Sequence, residues 1–503
     1  MEQADSPADW AALDALPKPT LIELFKGDPG RVEKFGRDVA GIHFDWSKTH
    51  LDDALVDGFL KLADTMGYAK RREALFSGAI VNPSEDRPAT HVAERGQGAA
   101  KDDDLAASRH ARMRSLIDAI EGEAFGEIVS VLHIGIGGSA LGPDLIIDAL
   151  GRMSDRFEVR VLSNIDGEAF DEAVDGLDPA STLVVAVSKT FTTTETLMNT
   201  EAAIEWLSDA GVADPYGQLI AVTAAPEKAV EFGIDETRVL PFGEGVGGRY
   251  SLWSTVGLSI ALALGWPAFE EMLEGAAEMD RHVRHAEGVD NVALLAVFAD
   301  LYYNRVRKAE TRALFAYDER LRLLPFYLQQ LEMESNGKGA TLDNKPLEGT
   351  SAPILWGGTG TDAQHAVFQL LHQGTHLVPV EFVAVTENED SLDPRHHRML
   401  LLNAFAQGAA LMHGRHSDDA ARNYTGDRPS STVLLERLDA RTLGALIAFY
   451  EHRTFANAAL LGINPFDQFG VELGKEIARS LDDPEDRADL DPSTRDLIER
   501  AGL

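Results

Sequence analysis

Ile128-Val129-Ser130-Val131-Leu132-His133-Ile134, followed without a break by Gly135-Ile136-Gly137-Gly138-Ser139-Ala140-Leu141-Gly142-Pro143, is the stretch that decides the fold. A short, β-branched apolar run closed by glycines predicts a buried strand that turns directly into a helix. Glycines at such a turn let backbone amides approach an anion at the positive end of the helix. The pattern also fits G-x-G-x-x-A, with Asp166 about 26 residues beyond Ala140, so a dinucleotide site and a plain tight turn stand beside the anion site as readings.

Working outward, Val159–Leu162, Leu183–Val187 and Leu219–Val222 repeat the short apolar run, with helix-length segments between them. After a long helical stretch from Tyr250 to Arg307, the rhythm restarts at Ala313–Ala316, Pro353–Trp356 and Val378–Val385. Strand and helix in alternation predict parallel sheets covered on both faces. The expected architecture is α/β, with two doubly wound parallel-sheet domains sharing a cleft. The expected limits are a helical arm over 1–110, a first α/β domain over 111–275, a second over 276–480 and an acidic tail over 481–503. The loop Val81–Pro88 belongs to the arm and is read as carrying little chemistry.

The chain has 503 residues, with 46 Lys and Arg against 82 Asp and Glu and a formal charge of -36. Such a field repels nucleic-acid backbones and anionic lipid, so neither is an expected partner, and an anionic substrate must be captured locally. Cysteine is absent, which excludes disulfides, thiolate nucleophiles and Cys-ligated metals. The N-terminus lacks the basic and apolar regions of a signal peptide, and the longest apolar stretch, Leu252–Trp266, is too short to span a bilayer. A cytoplasmic location is expected.

Five further motifs carry candidate chemistry. Ser188-Lys189-Thr190-Phe191-Thr192-Thr193-Thr194-Glu195-Thr196 sets six hydroxyls and an ammonium at the end of a parallel strand. One helix cap explains one hydroxyl, and the remainder suits a phosphate monoester. Gly247-Gly248-Arg249-Tyr250 brings backbone close to a ligand and aims a guanidinium that keeps its proton. In Gln329-Gln330-Leu331-Glu332-Met333-Glu334-Ser335-Asn336-Gly337, Gln330 and Glu334 share a helix face, and a carboxylate at a cleft rim suits a general base. His365 follows the glycine-rich Gly357–Gly360. His372 and His376 have metal-like spacing without a third ligand, so no metal is expected. In Asn464-Pro465-Phe466-Asp467-Gln468-Phe469-Gly470-Val471-Glu472-Leu473-Gly474-Lys475, Gln468 and Lys475 lie two helical turns apart on one face.

Taken together, these segments resemble the phosphoglucose isomerase family, from Phe44-Asp45-Trp46-Ser47 through Lys475. Gly-Gly-Arg-Tyr-Ser at 247–251 and Phe-Asp-Gln-Phe-Gly-Val-Glu at 466–472 with Lys475 match its two signatures. The resemblance implies two sugar isomerase (SIS) domains, a homodimer, no metal or nucleotide cofactor, and interconversion of glucose 6-phosphate and fructose 6-phosphate through a cis-enediolate. It implies that Ser139, Ser188, Lys189, Thr190 and Thr193 hold the phosphate end. Gly138, Gly248, Gln330 and Gln468 would line the sugar. Glu334 would be the base, Arg249 the enediolate stabiliser, and His365 with Lys475 the ring-opening pair, His365 entering from the other subunit. Where the family reads Thr-Asn-Gly-Gln-His, this chain has Thr361-Asp362-Ala363-Gln364-His365, a departure in the histidine loop. A dehydrogenase, a phosphosugar sensor without a base, and an isomerase of another hexose phosphate are the competing classes.

Overall fold

The computed structural model describes residues 10–388, 391–481 and 490–503. They divide into two compact units, Met1–Pro465 and Phe466–Leu503. The larger unit holds eleven strands: β1 Gly36–Val39, β2 Ile42–Asp45, β3 Ser130–Ile134, β4 Glu158–Leu162, β5 Thr182–Val187, β6 Leu219–Thr223, β7 Val239–Pro241, β8 Thr311–Tyr317, β9 Ile354–Thr359, β10 Val380–Val385 and β11 Ser430–Leu435.

β3 to β7 form an all-parallel sheet in the order β4-β3-β5-β6-β7. β3, β5 and β6 are buried throughout, because helices cover both faces. The strand order reverses at β3, with β4 on one side and β5 on the other, and the crevice at the carboxyl ends of β3 and β5 is where such sheets bind ligands. The glycine loop leaves β3 there, and the Ser/Thr loop leaves β5.

The second sheet runs β1-β2-β11-β10-β8-β9. β11, β10, β8 and β9 are parallel, while the β1–β2 hairpin joins antiparallel through β2. The N-terminal arm is therefore not helical throughout. It supplies a two-stranded edge, and Ala40 and Gly41 at φ of 52° and 76° make its tight turn. Helices Ala100–Glu121 and Trp266–His285 run unbroken across 110/111 and 275/276, two of the limits expected from the sequence.

Helix Ala440–Leu461 is buried along nearly its whole length. It crosses helix Trp266–His285 through glycines: a Cβ on Gly275 would lie 1.8 Å from the Arg441 carbonyl oxygen, and one on Gly444 would lie 2.1 Å from that of Met272. Charges carried inside by this helix are paired, as burial requires. Arg95 donates to both oxygens of Asp280 at 2.7 and 2.8 Å and to Glu451 at 2.6 Å, and Trp253 Nε1 donates to Glu451 at 2.7 Å.

The smaller unit comprises a short turn, Phe469–Val471, helix Glu472–Leu481 and helix Pro492–Ala501. Asp491 caps the last helix through the amides of Ser493 and Thr494 at 2.9 and 3.1 Å. Part of the expected tail is thus helical, and its 482–489 segment lies outside the described residues.

The glycine crossing has a direct test. Gly275→Val and Gly444→Val each force side-chain atoms into a backbone carbonyl, so each is expected to lower the unfolding free energy by about 3 kcal/mol in urea titrations. Gly167, where a Cβ meets nothing within 4 Å, is the control. Gly167→Ala should change stability by less than about 0.5 kcal/mol.

Candidate active site

The glycine loop packs backbone against backbone. A Cβ on Gly138 would sit 2.1 Å from the carbonyl carbon of Gly248 and 2.4 Å from the Arg249 nitrogen, so only glycine permits the approach. Gly137, at φ of 56°, comes close to the Gln329–Gly337 motif, since a Cβ there would lie 2.9 Å from Gln330 Nε2. Ser251 Oγ donates to the Gly138 carbonyl at 3.3 Å. Three segments distant in sequence, 137–139, 248–251 and 330–334, therefore meet.

His133, buried in β3, pins this junction from beneath. Its ring faces the Ser139 carbonyl through Nε2 and the Ser259 hydroxyl through Nδ1, both at 2.8 Å. Burial pushes its pKa down to about 4, so it is neutral. A carbonyl only accepts, which makes Nε2 the protonated nitrogen.

The Ser/Thr loop follows β5. Ser188 Oγ lies 3.1 Å from Thr193 Oγ1, and Thr190 Oγ1 lies 2.8 Å from Thr192 Oγ1. Thr193 occupies the N-cap position of helix Thr194–Asp209 but makes no side-chain cap, so its hydroxyl is not spent on the helix end. Phe191 takes a φ of 48°, and its buried ring meets Phe232 at 5.8 Å, which holds the loop in shape. Lys189 Nζ donates to the carbonyls of Glu244 at 2.7 Å and Val246 at 2.9 Å, tying this loop to the chain leading into Gly248 and Arg249. Burial, with Arg87 next in effect, pushes the Lys189 pKa down to about 8.

Arg249 is 3% exposed and rigidly held. Nε donates to Ser335 Oγ at 2.6 Å, and Nη2 donates to the Pro465 carbonyl. Tyr250 OH meets the same Ser335 oxygen at 2.9 Å. The remaining edge of the guanidinium faces Glu334, with Nη1 to Oε2 at 3.5 Å. Glu334 ends a π-helical turn, Gln329–Glu334, that continues helix Leu324–Leu328, and its carboxylate is one-fifth exposed to the cleft. Turns of this kind occur frequently at functional sites. Gln330 and Glu334 share a face, as their spacing predicts.

The other candidates stand on elements of their own. His365 is on the short helix Asp362–Ala366 after β9 and is exposed. The neighbouring Gln364 accepts from Tyr317 OH at 2.7 Å and donates to Asn403 at 3.2 Å, so Asp362 and Ala363 do not leave the helix unanchored. His372 is engaged by Gln407 at 2.8 Å. Gln468 and Lys475 belong to the smaller unit, Lys475 on helix Glu472–Leu481. Asp166, the residue a dinucleotide site would need, instead caps helix Gly167–Val174 through the Glu168 amide at 3.0 Å. Sequence reasoning passed over Arg87, which pairs with Glu85 at 2.5 Å and bears on Lys189. The loop bearing it looked featureless because only the fold brings it to Lys189.

Comparisons with known proteins agree with this geometry. The family described as phosphoglucose isomerase matches residues 45–498. A glucose-6-phosphate isomerase from Rhizorhabdus wittichii is 64% identical over 99% of both chains, and one from Zymomonas mobilis is 57% identical over 98% of this chain and 97% of its own. The crystal structure of a glucose-6-phosphate isomerase from Chlamydia trachomatis superposes with a TM-score of 0.90 at 31% identity, covering 99% of each chain. With family match, relatives and fold extending over nearly its whole length, this chain belongs to the phosphoglucose isomerase family.

Proposed function

We propose that the protein interconverts D-glucose 6-phosphate and D-fructose 6-phosphate. The observation that carries this reading is the buried, immobile Arg249 guanidinium 3.5 Å from the Glu334 carboxylate, on a backbone packed against the anion-binding glycine loop. Moving a carbonyl between C1 and C2 requires removal of a weakly acidic proton while negative charge grows on oxygen. Glu334 takes the proton from one carbon and returns it to the other. Arg249 faces the oxygen where charge develops, and it keeps its own proton throughout.

Ser139, Ser188, Lys189, Thr190 and Thr193, with the amides at the start of helix Thr194–Asp209, hold the phosphate. Gly138, Gly248, Gln330 and Gln468 line the sugar. His365 and Lys475 open the ring, a role that rests on their signatures. The exposure of His365 supports a homodimer in which this residue reaches the partner's site. No cofactor enters these steps. A phosphorylated hexose does not cross lipid unaided, which supports a cytoplasmic location.

Coupled assays that follow glucose 6-phosphate formation from fructose 6-phosphate, run with EDTA, test the activity. Glu334→Gln is expected to lower kcat by about 10²- to 10⁴-fold while inorganic phosphate still binds competitively. Near-normal turnover in that variant would remove Glu334 from the role of base. Mixing inactive His365→Ala and Glu334→Gln proteins should restore roughly a quarter of the activity, because half of the randomly formed dimers carry one intact site. No recovery after exchange would contradict a shared site. Lys189 is a cation below its pKa of about 8 and loses its charge above it. The kcat/KM profile should therefore fall above about pH 8, and Lys189→Arg should remove that limb.

A further inference from the structure

We propose that the ion pair between Arg312 and Glu332 is the positioning device for Glu334, setting the rotation of the π-helical turn that carries it. This inference rests on the isomerase reading and deepens it. Gln330 and Glu334 point to one side of the turn Gln329–Glu334, and Glu332, two residues from each, projects to the other. Glu332 is 6% exposed, and both its oxygens accept from Arg312 Nη2, at 2.6 and 2.7 Å.

Arg312 stands on β8 and is itself fixed. Nη1 donates to Asp300 Oδ1 at 2.9 Å, on helix Val292–Leu301. Asp300 also accepts from Arg453 Nε and Nη2, both at 2.7 Å. Arg453 Nη1 reaches Glu381 on β10 at 2.6 Å, and Tyr450 OH donates to the same carboxylate at 2.8 Å. The pair thus bolts the back of the turn to two central strands and the buried Ala440–Leu461 helix. On the front, the Glu334 carboxylate meets Arg249 at 3.5 Å. A π-helical turn is an uncommon geometry, and an external anchor can hold its register. Rotation of the turn about its axis would carry Glu334 along an arc past Arg249 and the substrate carbons. Neither Arg312 nor Glu332 is among the groups assigned to the substrate, so the pair acts through Glu334.

The test separates kcat from KM. Arg312→Met/Glu332→Met removes both charges at similar volume, a replacement that buried ion pairs tolerate. In this variant, kcat should fall by about 10- to 100-fold, the loss typical of displacing a catalytic group by about 1 Å. KM for fructose 6-phosphate and inhibition by inorganic phosphate should stay within about threefold of wild type. Glu332→Gln, which keeps the shape and a hydrogen bond to Arg312, should recover most of the rate, remaining about three- to fivefold below wild type. A folded double variant, judged by circular dichroism, with unchanged kcat would overturn the proposal. So would losses in kcat, KM and phosphate binding that all track a loss of folded protein. If the double variant does not fold, Glu332→Gln decides: a lower kcat at unchanged KM supports the pair, and wild-type kcat overturns it. Wild-type protein in the same assay keeps the two readings distinct, since an inactive wild type would sink the isomerase assignment itself.

Discussion

Arg249 holds the account together. Its guanidinium is buried, one nitrogen is fixed by the Ser335 hydroxyl and another by the Pro465 carbonyl, and Nη1 confronts Glu334. A buried cation is costly unless it is paired and hydrogen-bonded, as this one is. In the proposed mechanism this fixed cation meets the negative charge that develops on a substrate oxygen. Gly138 is there because the approach of the Gly248–Arg249 backbone leaves no room for a Cβ.

Phosphate must be drawn into a chain of charge -36. Three positive groups act on one another here: Lys189, with Arg87 and Arg249 close enough to help burial depress its pKa. In the proposed site the hydroxyls of the Ser/Thr loop and the amides of a helix start would add to anion binding without adding net charge. On this proposal the acidic chain repels anions in general, while the crevice beside Lys189 accepts the substrate phosphate.

Much of this was legible from residues alone. The strands at β3, β5, β6, β8 and β10 are largely apolar runs, and their burial on both faces is why they read so clearly. β7 is three residues ending in proline, β11 opens with Ser-Ser-Thr, and β1 and β2 are four-residue strands with polar residues among them. Such strands owe their existence to the neighbours they pair with, which local pattern does not record. The Ser/Thr loop and the glycine loops were legible because dense hydroxyls and adjacent glycines have few structural explanations. Arg87, His133 and the Arg312–Glu332 pair were not, because each acts through a contact made only in the folded chain.

The central claim is that Glu334 moves a carbon-bound proton while Arg249 steadies the resulting charge. Proton NMR of fructose 6-phosphate in deuterium oxide follows that step without requiring product release. With wild-type protein, the hydrogen at C1 should exchange into solvent on the timescale of turnover, and with Glu334→Gln the exchange should be lost even when the sugar phosphate saturates the site. Exchange at the wild-type rate in the glutamine variant would contradict the account.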